Sequence, residues 1–111
     1  MILYAYCRTI KGVMKFKEVK KQVLDCLENG LVEHEERDDI NVKNLLAVGQ
    51  VSMDEVKEII RMSRGNEHSH SPHHVVSSLE VNIIKTKHSG KYGYVKWYYV
   101  EPNSIFISVH N

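Results

Sequence analysis

The sequence predicts an α+β fold, with helices in the first two thirds of the chain packed on a C-terminal antiparallel β-meander of three or more strands. Three observations predict it. Apolar residues recur at helical spacing between Phe16 and Met62. Runs rich in Val, Ile, Tyr and Trp alternate with turn residues from Val81 to Val109. The length of 111 residues suits a single domain, 1–111, able to bury a core without disulfides or metal.

Composition narrows the classes. An apolar fraction of 42% and a charged fraction of 26% are globular values. No apolar run approaches the roughly 20 residues that span a bilayer. Met1 to Val13 carries Arg8 and Lys11 and lacks the order of a signal peptide, so a cytoplasmic location and no membrane association are expected. Cys7 and Cys26 are too few for a disulfide framework or a thiolate zinc site, and no cofactor is expected. The net charge of +1 hides an asymmetry. Glu28 to Asp39 is strongly acidic, whereas Val81 to Val100 holds Lys85, Lys87, Lys91 and Lys96 and no acid, a pattern that permits a local basic surface.

Ile2 to Tyr6 is strand-like and Gly12 breaks it, so residues 1–13 read as an edge strand or as an extension. Phe16, Val19, Val23, Leu24 and Leu27 then mark an amphipathic helix, and Gly30 is its expected stop. Past an acidic loop, Ile40, Val42, Leu45, Leu46 and Val48 suggest a shorter helix ended by Gly49. Ser52 to Glu55 is a capping box, and the helix it opens runs through Val56, Ile59, Ile60 and Met62 to about Ser63. Asn66 to Ser78 is polar and His-rich, and reads as a functional loop.

Three strands follow, Val81–Thr86, Tyr92–Val100 and Ser104–Val109. Glu101, Pro102 and Asn103 suit a three-residue hairpin loop, which pairs Val100 with Ser104, Tyr98 with Phe106, Lys96 with Ser108 and Tyr94 with His110. Val95, Trp97, Tyr99, Ile105, Ile107 and Val109 then form the core face, and Tyr, Lys, Ser and His the other.

Two features carry potential chemistry: the segment His68, His70, His73 and His74, and the polar sheet face with Tyr94, Lys96, Tyr98 and His110. Metal-free RNA cleavage needs a base for the 2′-hydroxyl, a cation beside the phosphate and an acid for the departing 5′-oxygen. Imidazoles titrate near neutrality, lysine holds phosphate charge, and tyrosine stacks a base or donates a proton. If the loop folds over the meander these groups converge; imidazoles more than ~10 Å from the side chains of Tyr94 and His110 would share no phosphate with them and would end the nuclease reading built on that convergence. Alternating Tyr and Lys is also what an ordinary solvent-facing strand carries. The His segment has its own alternative, a non-enzymatic metal-sensing or regulatory protein-binding module. Pro72, however, redirects the chain between His70 and His73, and the spacing matches no familiar zinc pattern.

The order of motifs resembles the MqsR family of mRNA-cleaving toxins, which share the RelE-like fold. The resemblance runs from about Val19 to His110: a Val19-Lys20-Lys21 helix ending in Gly, a second segment ending in Gly, a helix with Val56, Ile59 and Ile60, and a polar loop. Glu80-Val81-Asn82, Tyr94-Val95-Lys96 and Ser108-Val109-His110 then stand where the family has DVY, YLK and Ser-Phe-Lys. The resemblance implies a metal-independent endoribonuclease of a toxin–antitoxin system, with mRNA as substrate and an antitoxin protein as partner. It places the family's functional Tyr on Tyr94 and its terminal Lys on His110. The family's loop Lys falls near Glu67 or His68, where an imidazole would substitute, and its Gln falls on Leu79. The resulting expectation has His74, His70, His110, Tyr94 and Lys96 as catalytic groups. His68, His73, Tyr98, Lys85 and Lys91 are expected to bind substrate.

Overall fold

The computed structural model describes residues 15–35, 43–88 and 90–110. The fold is α+β: among the described residues the helices α1 (Phe16–Asn29) and α2 (Met53–Met62) pack on one face of a five-stranded mixed sheet. Its strands are β1 (Val32–His34), β2 (His68–Pro72), β3 (Glu80–His88), β4 (Lys91–Val100) and β5 (Asn103–His110), in the order β1-β5-β4-β3-β2. All pairs are antiparallel except β1 with β5. The expected edge strand or extension at 1–13 lies outside the described residues.

Local chemistry explains both helices. Gly30 takes the left-handed conformation at φ 72° that ends α1, and its backbone N–H donates to Cys26. At α2 the Ser52 hydroxyl accepts from the Glu55 N–H at 3.1 Å while the Glu55 carboxylate accepts from the Ser52 N–H at 3.0 Å, the reciprocal cap expected of that sequence. Val19, Val23 and Leu27 of α1 and Val56 and Ile60 of α2 are buried against Ile84, Val95, Trp97, Phe106 and Val109. The helix expected between Ile40 and Val48 falls partly outside the described residues. Of its described part Lys43 is helical, Asn44 forms an isolated β-bridge with Val109, and residues 45–49 are turn; the buried Asn44 side chain donates to the Phe106 carbonyl at 3.2 Å.

Two strands stand where loop was expected. β1 comes from the acidic stretch and lies parallel to β5, with Val32 opposite Ser104 and His34 opposite Phe106. β2 is the first half of the His-rich segment and pairs with β3, His68 opposite Ile84 and His70 opposite Asn82. Only residues 73–79 remain as loop.

The β4–β5 register is right at one end and shifted at the other. Tyr94 pairs with His110 and Lys96 with Ser108, as expected. Beyond a bulge between Lys96 and Trp97, however, Trp97 pairs with Phe106, Tyr98 with Ile105 and Val100 with Asn103. The turn is therefore Glu101-Pro102 and not a three-residue loop. Ile107 is the extra residue, and the bulge turns Phe106, fully buried, into the core where Ile105 was expected.

Candidate functional site

Strand alternation sorts the side chains onto two faces. On the helix face, His68, Ile84, Val95 and Val109 form one cross-strand row, and His70, Asn82, Trp97 and Phe106 another. On the opposite face the corresponding rows are Lys85–Tyr94–His110, Ile83–Lys96–Ser108 and Val81–Tyr98–Ile105. The expected polar face exists, and it carries Tyr94, Lys96, Tyr98, His110 and Lys85 together.

Its best-formed cluster is the first row. The His110 imidazole lies parallel on the Tyr94 ring, centroids 4.6 Å apart and planes 7° apart. The Lys85 ammonium stands 5.9 Å from the Tyr94 centroid, within cation–π range. Tyr92 extends the aromatic surface, its ring 6.3 Å from His110. Burial raises the Tyr94 phenol above its ordinary value, with the neighbouring Tyr92 adding to the effect, so the hydroxyl stays protonated across the neutral range. Tyr94 can donate a hydrogen bond but is no base.

The histidine segment divides between the two faces, which overturns the expected convergence. His68 meets Asn82 Oδ1 through Nε2 at 2.9 Å and packs 5.0 Å from the Phe16 ring, on the helix side. His70 pairs with the Glu80 carboxylate on that same side. Glu67, near which the family's lysine falls, receives the Thr86 hydroxyl there at 2.9 Å. The sheet itself thus separates His68 and His70 from Tyr94 and His110. Both groups were expected to act on one phosphate, and they do not.

Past Pro72 the chain crosses to the polar face, but at its far end. His73 is buried, its ring edge-on to Tyr98 at 4.9 Å, and His74 stacks on it at 4.8 Å. Glu35, just after β1, accepts from His73 Nε2 at 3.0 Å and from the Tyr98 hydroxyl at 2.8 Å. The N–H groups of Val75 and Val76 donate to His73 Nδ1 at 3.1 and 3.2 Å. Tyr98 is four residues from Tyr94 along β4, roughly 13 Å at ~3.3 Å per residue. The acid/base partnership expected between a loop imidazole and His110 therefore has no support from His73 or from His74 stacked upon it.

Two lysines exchange places. Lys91 was expected on the site, but it alternates with Tyr92 and Tyr94 and so projects from the opposite face. Lys87, opposite Tyr92, takes that place beside Lys85. The signal for Lys87 was present in the register across the β3–β4 turn. Glu35 gave none, because it reaches Tyr98 from 63 residues away.

Among the described residues no group of three or more His, Cys, Asp or Glu side chains is arranged to hold a metal ion. No helix there is long and apolar enough to cross a membrane. An open groove of about 370 Å³ lies on the helix side, lined by residues that include Gln22, Cys26, Leu31, Tyr99 and Pro102, away from the Tyr94–His110 row. No protein-family model matches this chain, and no curated protein matches it either.

Proposed function

We propose that this chain is an endoribonuclease toxin of the RelE-like kind, and that it cleaves mRNA at the Lys85–Tyr94–His110 row. The observation that carries this reading is that row itself: an ammonium, a phenol held neutral and an imidazole side by side on three adjacent strands. The ring nitrogens of His110 have no hydrogen-bond partner among the described residues, so they are available to a substrate.

In the proposed reaction the neutral His110 imidazole takes the proton of a ribose 2′-hydroxyl. The 2′-oxygen bonds to phosphorus, the bond from phosphorus to the 5′-oxygen breaks, and the imidazolium returns its proton to that departing oxygen. A 2′,3′-cyclic phosphate and a 5′-hydroxyl result. Lys85 and Lys96 offset the charge that builds on the phosphorane oxygens, and the Tyr94 hydroxyl donates to one of them. No metal takes part. On this reading the chain works in the cytoplasm and is restrained by an antitoxin protein partner.

Inducible expression in a bacterial host tests this. Wild type should arrest growth, and His110→Ala should relieve the arrest at equal soluble yield. Arrest by both proteins alike would remove His110 from the mechanism.

A further inference from the structure

Resting on the nuclease reading, we propose that the His73–His74 stack is a platform for a nucleobase of the bound RNA, in the nucleotide path leading away from the Tyr94–His110 row. The two imidazoles were expected to take part as an acid/base group and a substrate contact. The geometry assigns them instead a clamp and a stacking surface.

His73 has no nitrogen left for a substrate. With two backbone N–H groups aimed at Nδ1, the ring proton must sit on Nε2, where it is donated to Glu35. Tyr98 closes on the ring from the side, and only 7% of His73 is exposed. The ring is thus fixed by four neighbours and excluded from proton transfer.

His74 differs in each respect. It is exposed, and among the described residues it makes no hydrogen bond or ion pair, only the ring stack on His73 at an interplanar angle of 20°. A π-surface immobilised on one side and open on the other is what an unpaired base needs, since every base has a stacking face. Val75, 73% exposed, and Val76, 45% exposed, follow it in the chain and leave further apolar side chains open to solvent. Between the platform and the Tyr94–His110 row lies Lys96, with Lys85 and Lys87 at the far end, so a phosphate backbone crossing the face meets positive charge along its way. Single-stranded RNA, with splayed bases and a continuous backbone, fits that alternation; a duplex, with its bases stacked inward, does not.

The test is equilibrium binding by fluorescence anisotropy. The probe is a short single-stranded RNA of mixed sequence, 2′-O-methylated throughout to block cleavage, titrated with the full chain. His74→Ala should weaken binding roughly five- to a hundred-fold, the loss of one base stack, and His74→Phe should restore most of it because the stack survives without a titrating nitrogen. Equal binding by wild type and His74→Ala overturns the platform alone. A His74→Phe protein no tighter than His74→Ala overturns stacking as the cause. Wild type that binds no RNA overturns the nuclease reading itself.

Discussion

The His110 ring lies flat on the Tyr94 ring at 4.6 Å, and Lys85 approaches the same phenol from the neighbouring strand at 5.9 Å. The contact couples the last residue of β5 to the middle of the sheet. Tyr94→Phe should preserve the stack while removing the hydroxyl, lowering cleavage without changing the fold. Its kcat, not its KM, should carry the loss if the hydroxyl acts on the developing phosphorane. A spectrophotometric titration comparing wild type with Tyr94→Phe should assign to Tyr94 a phenol ionising above the ordinary value of ~10, as its burial dictates.

Stability should depend on pH through His34. Its Nδ1 faces the amide of the buried Asn44 at 3.1 Å, and burial lowers its pKa, favouring the neutral ring. The unfolded state therefore binds the proton first. The His34 contribution is complete above its unfolded value of ~6.5 and is lost as pH falls through the folded pKa. Denaturant unfolding at a series of pH values should show a smaller loss on acidification for His34→Gln than for wild type. Equal slopes would assign the acid sensitivity to other groups.

At Gly93 the side chain of Ile59 on α2 packs directly against the β4 backbone. A Cβ built there would stand 2.8 Å from Ile59 Cγ2 and 3.1 Å from its Cγ1, both on α2. Gly93→Ala should destabilise by about 1–3 kcal/mol, the usual cost of overpacking. The double change Gly93→Ala with Ile59→Val should recover part of it. Thermal unfolding of the three proteins checks both statements.

The loop that carries the stacked imidazoles is held by the carboxylate of Glu35 and by His73 Nδ1. His73→Ala should leave the Val75 and Val76 amides without an acceptor and raise their hydrogen-exchange rates, while amides in β4 keep their protection. Unchanged exchange at Val75 and Val76 would mean that the backbone alone holds the loop.

How much of this was legible follows the strength of each local signal. The Ser52–Glu55 cap, the Gly30 stop and the Tyr94–His110 pair depend on residues near in sequence or on strict alternation, and all three are as read. β1 was hidden because Val32, Glu33 and His34 are too few to show a period and because its partner lies at the far end of the chain. β2 was hidden because it is an exposed edge strand, polar on both faces: its imidazoles His68 and His70 are satisfied by Asn82 and Glu80, and no apolar alternation marks it. The bulge depends on how Phe106 and Ile107 compete for the core beside Trp97, which no pairwise rule on strands decides. That unread β2 strand put His68 and His70 on the wrong side of the expected site, while the hidden Glu35 set the place of His73.

The most direct measurement is cleavage of a defined single-stranded RNA by the purified full chain, with the product ends identified by mass spectrometry. Cleavage at the Lys85–Tyr94–His110 row should leave 2′,3′-cyclic phosphate and 5′-hydroxyl ends, and none should occur where the ribose at the scissile position is 2′-deoxy. His110→Ala should lower the rate by about 10²–10⁴-fold, the usual contribution of a general acid–base group. Products bearing 5′-phosphate ends, or a His110→Ala protein as active as wild type, would contradict this mechanism.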